Sequence, residues 1–185
     1  MRMQPSVMPT GPTAPPWPAP ERVDPLGTAD ERTVLASFLD YHRATLLVAC
    51  AGLDGEQLCR RASPPSTLSL LGLLRHLADV ERSWFRRTLD AQTLGPIYYV
   101  HREDRDDQFD LVDPAQAAGA LTTYLAEVAA SREVAARHEL SDTATTRAGE
   151  VVSLRWIMLH MLEEYAQHNG HADLLREAID GTRSF

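Results

Sequence analysis

The sequence predicts an all-α protein, a four-helix bundle with a long crossover connection between its second and third helices. Four segments of roughly 20 to 28 residues carry apolar side chains at intervals of three and four, which is the period of an amphipathic helix. One connection of about 20 residues separates the second and third segments, and a connection of that length indicates a crossover rather than a simple hairpin. No segment has the pattern of a convincing strand.

Size and composition favour a single domain with an N-terminal tail. The chain has 185 residues, 44% of them hydrophobic, and eight of its 12 prolines lie within residues 1–25. Because such a proline-rich stretch can neither hold a helix nor bury much surface, we expect a flexible tail over 1–26 and the bundle domain over 27–185. The sequence contains no signal-peptide pattern and no run of 18 apolar residues, which predicts a cytoplasmic protein without a membrane partner.

The charge balance argues against nucleic acid as a partner. The formal net charge is −8, whereas a nucleic-acid surface needs a concentrated basic patch. The best basic cluster, Arg82, Arg86 and Arg87, is interrupted by acidic residues and predicts a solvated helix face. Cys50 and Cys59 are too few for a disulfide framework and are interpreted as ordinary thiols.

The first two helices have recognisable ends. Thr28 and Glu31 have capping-box spacing, which predicts a helix start at Thr28. An apolar stripe follows as far as about Gly52, and residues 54–61 are expected to form a short turn. After Pro64 and Pro65 the second helix is expected to begin at Ser66 or Thr67 and to run to about Leu89.

The last two helices follow the long connection, residues 90–112. Asp113, followed by Pro114 and three residues later by Gln116, predicts a helix start, and this third helix should run to about His138. A polar loop over 141–149 should then lead to the fourth helix, Ser153 to about Ile179. Gly181 is expected to cap its C-terminal end.

The fourth helix carries ionisable residues on the side expected to be buried. On a helical wheel, His168, His171 and His160 fall within about 40° of Glu164, while Asn169 and Arg176 fall on the side expected to face solvent. An unpaired carboxylate is costly to bury, so Glu164 needs a proton, a counter-charge or a metal ion.

A metal site is one interpretation of this pattern. Glu164 and His168, four residues apart, point to the same side of a helix, and His76 on the second helix supplies a third ligand. Alternatives remain open, because Glu164 and His168 also fit a buried ion pair, and His76 fits a hydrogen-bonded core histidine.

The other histidines have less specific roles. His160 and His171 are expected to pack or to support a neighbour, and in a closed structural site either would be a fourth ligand. His42 is expected to be a core imidazole with an alternative role beside the site or in a pocket. His101 and His138 are expected to be exposed.

Two segments, TLSLLGLLRHLADVERSWFRR and LRWIMLHMLEEYAQHNGHADLLREAIDG, resemble the signature helices of the DinB-like superfamily, specifically its DUF664 or mini-circle branch. The resemblance covers about residues 28–183. It implies a DinB-type bundle, a homodimer, and a divalent metal ion held by His76, Glu164 and His168. Most of the superfamily has histidine in place of Glu164, and the His, Glu, His set is similar to that of mycothiol-dependent maleylpyruvate isomerases. Zinc is the first choice of metal, with nickel, iron or manganese as alternatives.

The resemblance implies a metal-dependent transferase or isomerase that acts on a small-molecule thiol such as mycothiol and an unassigned electrophile. One alternative is a metal-dependent hydrolase, and another is a non-enzymatic dimer in which the ion or ion pair only joins helices. A non-haem iron oxygenase would use a similar ligand set, but the helical pattern disfavours it. The sequence assigns no catalytic acid or base.

Overall fold

The computed structural model describes residues 17–98, 107–110 and 112–183, and these are mostly helical. The helices of this part are α1 (Glu31–Cys50), α2 (Gly55–Cys59), α3 (Leu70–Glu81), α4 (Asp107–Asp110), α5 (Ala117–Ala136) and α6 (Leu154–Asp180). A π-helical segment, Arg82–Leu89, continues α3, and a 3₁₀ turn, Pro114–Gln116, precedes α5. Two short antiparallel strands, β1 (Thr143–Thr145) and β2 (Val151–Ser153), join α5 to α6. The predicted four long helices are therefore present, and the predicted absence of strands is wrong.

The helix starts show how side chains satisfy the first free N–H groups. Asp30, and not Thr28, caps α1, because its carboxylate accepts from the backbone N–H of Thr33 at 3.0 Å and from its hydroxyl at 2.6 Å. Similarly, Ser69 caps α3 through the N–H of Gly72, so this helix begins later than predicted. Both predicted starts were placed too early.

The later helix ends agree better with prediction. Asp113 accepts from the N–H of Ala115, and the first turn after it is 3₁₀ rather than α-helical. Ser153 caps α6, and Gly181 ends it with a φ of 79°, a left-handed conformation that glycine adopts without strain. The predicted turn at 54–61 contains the short helix α2.

The core forms where the long helices pack. Helix α1 packs against α6, and α3 packs against α5 and α6. Leucines from α1 and α3, among them Leu46, Leu73 and Leu77, are fully buried in this core. Trp17 is also buried there, and its carbonyl accepts from the N–H of Gly52, so part of the segment predicted as a tail contacts the helices.

A buried polar network takes one residue from each of the four long helices. Arg43 of α1 donates two hydrogen bonds to the Glu81 carboxylate of α3, at 2.8 and 2.9 Å. Tyr165 of α6 donates to Glu81 at 2.8 Å, and its oxygen lies 3.0 Å from that of Tyr124 of α5. The Glu81 side chain is 0% exposed. This network fixes the rotation of α6 about its own axis, and with it the direction in which Glu164 points.

The long connection after α3 returns to that helix. The Asp79 carboxylate of α3 accepts from the backbone N–H of Ile97 at 2.6 Å and of Tyr98 at 2.9 Å. Further along, Phe109 of α4 packs so closely on α3 that a Cβ at Gly72 would lie 2.6 Å from its ring. The connection is thus held to α3 at two points.

Two of the three basic residues predicted to form a solvated face are paired instead. Arg82 and Arg86 both donate to the carboxylate of Glu127 on α5, which is only 3% exposed. The prediction was wrong for them because the sequence does not reveal that α5 brings a buried acid against this face. Arg87 lies instead beside the turn that joins β1 to β2.

Candidate metal centre

The three predicted ligands lie together between α3 and α6. His76 is on α3, and Glu164 and His168 are one turn apart on α6. Glu164 Oε2 lies 3.5 Å from His168 Nε2 and 3.8 Å from His76 Nε2, and one ligand atom from each residue lies within 4.8 Å of the other two. The side chains are 13–24% exposed, so the cluster is partly shielded from solvent.

The donor atoms fit a divalent metal ion. Among the described residues, neither buried ring nitrogen of His76 has a hydrogen-bond partner, so the lone pair of its unprotonated nitrogen is free to bind a metal ion. Bond lengths of about 2.0–2.1 Å place tetrahedral ligand atoms roughly 3.3 Å apart, close to the separations from Glu164. Two imidazoles and one carboxylate form a set that binds zinc, iron or nickel. A bound cation would engage the free lone pair of one His76 nitrogen and draw the three donors slightly together.

The electrostatics of the cluster keep Glu164 charged. The two neighbouring imidazoles, His168 first and His76 second, hold the pKa of the Glu164 carboxyl well below its usual range, although burial acts in the opposite direction. The group is therefore an anion at neutral pH. An ionised carboxylate beside two imidazoles is the state that a cation needs.

His171 supports one ligand from behind. Its Nδ1 lies 3.4 Å from Nδ1 of His168, while Nε2 of His168 faces Glu164. One of the two Nδ1 atoms must carry a hydrogen for this contact to be a hydrogen bond. A hydrogen on Nδ1 of His168 leaves its Nε2 lone pair free for a metal ion, which is how an outer partner selects a tautomer.

His160 contacts the other oxygen of the carboxylate. Its Nε2 lies 3.5 Å from Glu164 Oε1, the oxygen that does not face His76 or His168. The ring of His160 stacks on Trp156 with centroids 5.0 Å apart, and it meets Trp84 of the π-helical segment edge-on at 4.7 Å. The two indoles thus hold the imidazole against Glu164, and the prediction that His160 supports a neighbour agrees with this arrangement.

Phe109 covers the cluster from the crossover side. Its ring centroid lies 5.7 Å from that of His76, and the side chain is buried. Gly72 makes this close approach feasible, because any side chain at that position would meet the phenyl ring. Sequence reasoning missed both residues, and the only available signal was a glycine within an otherwise leucine-rich helix.

The buried face of α6 is not centred where the wheel placed it. Asn169 and Arg176, expected at the solvent side, are only 4% and 9% exposed. Asn169 donates to the carbonyl of His42, and Arg176 donates to the carbonyls of Ala49 and Ala51. The buried face centres near Tyr165, roughly 80° from the expected direction, so Glu164 lies at its edge. This is why the cluster is partly accessible.

The remaining histidines divide among three situations. His42 is half-buried with its Nδ1 3.2 Å from the Asn169 amide nitrogen, and burial lowers its pKa. His138 was expected to be exposed, but it lies 3.5 Å from Asp90 and 3.4 Å from Asp142 with 24% of its side chain exposed. His101 falls outside the described residues.

Fold and site together define a class, a mostly helical protein with a candidate divalent-metal centre between α3 and α6. A family model described as mycothiol-S-transferase matches residues 34–181, which is most of the chain. The chain therefore belongs to this DinB-like family, and the resemblance to the DinB-like superfamily is confirmed. A search of the curated proteins found no match. In the part of the chain that the structure describes, no helix is both long and apolar enough to cross a membrane.

Proposed function

We propose that the protein is a metal-dependent transferase that joins a small-molecule thiol of the mycothiol type to an electrophile. One observation supports this proposal most directly. Among the described residues, His76 has two buried nitrogens without a hydrogen-bond partner, and it clusters with Glu164 and His168. The family match supplies the class of thiol. In this proposal, residues 27–185 form a DinB-type four-helix bundle that works in the cytoplasm as a homodimer.

His76, Glu164 and His168 would hold the metal ion, with zinc as the first choice. When bound, such an ion lowers the pKa of a coordinated thiol and so makes it a nucleophile near neutral pH. Three protein ligands leave a position open for that thiol. His171 orients His168, and His160 holds the second carboxylate oxygen of Glu164, so both ligands keep their direction when substrates enter.

The protein's own cysteines do not fit the role of the nucleophile. Burial raises the pKa of Cys50 to about 12, and burial together with Glu56 raises that of Cys59 to about 11. At neutral pH both are therefore protonated and unreactive. This supports a thiol that arrives as a substrate.

A structural, non-enzymatic site is the competing proposal. It requires a closed coordination shell with His160 or His171 as the fourth ligand. Among the described residues, the cluster of mutually close donor atoms contains His76, Glu164 and His168 but neither of those two. That favours an open site, and thus the transferase, over the structural role. A hydrolase would use the same open position for water.

The first experiment is metal analysis by mass spectrometry on protein purified without a metal-binding tag. We expect about one divalent ion per chain in the wild type, and loss of most of it in His76→Ala, Glu164→Gln and His168→Ala with helicity retained. His138→Ala, a histidine remote from the cluster, should keep the ion. Metal content unchanged in the three variants would refute the ligand set.

The second experiment tests the reaction. Metal-loaded protein is mixed with mycothiol and a panel of electrophiles, and thiol consumption is followed with the His76→Ala variant as control. Consumption that needs both metal and His76 supports the transferase. A fully loaded protein that consumes no thiol with any electrophile, but hydrolyses esters or amides, would favour the hydrolase.

A further inference from the structure

A cavity lies beside Trp84, one of the two aromatic residues that hold His160. It has a volume of about 300 Å³ and opens between the π-helical end of α3 and the turn that joins β1 to β2. We call it the hairpin cavity. Its relevant lining residues are Trp84, Arg87 and Thr88 of the π-helical segment and Thr145, Arg147 and Glu150 of the hairpin.

In the part of the chain that the structure describes, the arginines of the hairpin cavity have no acidic partner. Nη2 of Arg87 is buried and has no hydrogen-bond partner, and leaving a buried donor unsatisfied is costly. Arg82 and Arg86, on the same segment, share the carboxylate of Glu127. Within the described ranges neither Arg87 nor Arg147 forms an ion pair, although the chain carries a net charge of −8. An anion from outside the protein would complete this site.

The cavity is connected to the candidate metal centre by direct contacts. Trp84 forms part of its wall and also contacts the His160 ring, with the centroids 4.7 Å apart. His160 in turn lies 3.5 Å from Glu164. The rings of Trp84 and His160 therefore lie in succession between the hairpin cavity and Glu164.

The lining matches the chemistry of a carboxylate. A guanidinium offers paired N–H donors that suit two carboxylate oxygens, and hydroxyls such as those of Thr88 and Thr145 add further donors. The Trp84 indole offers an apolar surface for the adjoining part of the ligand. The single lining acid, Glu150, lies on an exposed turn, so the two arginines outnumber it.

We propose that the hairpin cavity binds the carboxylate group of a small organic co-substrate, with Arg87 as its main partner and Arg147 as a second donor. The carboxylate belongs to the electrophile, because a mycothiol-type thiol carries its cysteine carboxyl as an amide. This assignment deepens the proposed function and rests on it for the identity of the ligand as a co-substrate. The site itself, however, can be tested by binding alone.

The test is calorimetric titration of metal-loaded protein with matched acid and amide pairs. The electrophile arm compares phenylacetate with phenylacetamide, and the thiol arm compares N-acetylcysteine with its amide. Each pair differs only in the charged group, so any contribution of the metal to thiol binding cancels. We expect the acid to bind about tenfold tighter or more in the electrophile arm, whereas a preference confined to the thiol arm would overturn the assignment to the electrophile.

The variants separate this proposal from the metal site. Arg87→Gln should abolish the preference for the acid, Arg147→Gln should reduce it, and Arg183→Gln, at the far end of α6, should leave it unchanged. Arg147 lies on an exposed turn, so its variant tests the site even if Arg87→Gln unfolds. All three should retain the metal ion.

Two further results would overturn the proposal. Equal affinity for acid and amide in both arms of the wild type would show that no carboxylate site exists. A preference that persists in a folded Arg87→Gln variant would exclude Arg87 from it. Failure of the proposed function looks different, because the metal-loaded wild type would then consume no thiol while phenylacetate still bound more tightly than phenylacetamide.

Discussion

At the scale of single residues, the sequence indicated three side chains that the structure brings close together. Glu164 and His168 are polar residues four apart in a helix with an apolar side. His76 is likewise a polar residue among the leucines of α3. Such residues are rarely placed near a core without compensation, so residue type and spacing alone indicate their chemistry. The contacts that support these residues are harder to predict from the sequence. The role of His171, for example, depends on Nδ1 of His168 facing it while Nε2 of His168 faces Glu164.

The contact between His171 and His168 gives a prediction about metal affinity. Replacing His171 by alanine removes the partner that selects the tautomer of His168, and outer-shell partners of this kind are worth about 10–100-fold in affinity. We expect His171→Ala to bind zinc about that much more weakly in a chelator competition, with one ion still bound at saturation. His138→Ala is the control. An unchanged affinity would mean that His171 only packs there.

The two cysteines give a prediction about thiol reactivity. Since burial raises the pKa of both thiols, to about 12 for Cys50 and about 11 for Cys59, each is protonated below those values and the thiolate appears only as pH rises. We expect modification of the native protein by iodoacetamide to be slow at pH 7–8 and to accelerate up to about pH 11 for Cys59. The same protein in guanidinium should react as fast as a free cysteine. Rapid native modification at pH 7 would contradict the assigned environments.

At the scale of elements, the apolar periodicity predicted the long helices. Predictions of short strands and of the buried face of a helix failed, because these depend on contacts with other parts of the fold. The 143–153 hairpin was missed because each strand is only three residues long, too short to show alternation. The α6 wheel was misdirected because its most polar residues were taken as the centre of the buried face. Tyr165 is that centre, and its hydroxyl requires the partner Glu81, which only the folded chain reveals.

Gly72 provides a test of how α4 covers the site. Gly72→Ala would place a methyl group 2.6 Å from the Phe109 ring, so α4 must move away from α3. Overpacking of this kind typically costs about 1–3 kcal/mol, and we expect that loss in the free energy of unfolding by urea. Gly170, in the middle of α6, has open space where a Cβ would lie. Gly170→Ala should instead stabilise by about 0.5–1 kcal/mol. If both substitutions raised the free energy of unfolding, Phe109 of α4 would not pack tightly against Gly72 of α3.

At the scale of the whole molecule, the arrangement of the helices is tied to buried polar groups that the sequence did not identify. Glu81 looked like one of the acids on a solvated face, and Tyr124 lies in an alanine-rich helix without an evident partner. Their meeting depends on four helices packing at once, which no local pattern encodes. Burial and then the nearby Glu81 carboxylate raise the pKa of both Tyr124 and Tyr165, so both remain neutral hydroxyls within the network.

The buried network gives the prediction that tests the architecture as a whole. In Glu81→Ala the guanidinium of Arg43, with a side chain only 6% exposed, keeps its charge but loses its buried carboxylate partner and retains only the half-exposed Asp40. Removing one member of a buried ion pair costs about 3–5 kcal/mol, and we expect a loss of that size in the free energy of unfolding by urea. The matched control is Glu31→Ala, which breaks an exposed pair with Arg155 and should have a much smaller effect.

Glu81→Ala also tests whether the buried network positions the candidate metal centre. Tyr165 follows Glu164 in the chain, and its hydrogen bond to Glu81 holds the rotation of α6, so Glu81→Ala should also weaken zinc binding although Glu81 is not a proposed ligand. Chelator competition on the folded variant measures this effect, with Glu31→Ala again as control. A variant that lost stability but kept its full zinc affinity would show that the metal centre is positioned independently of the buried network.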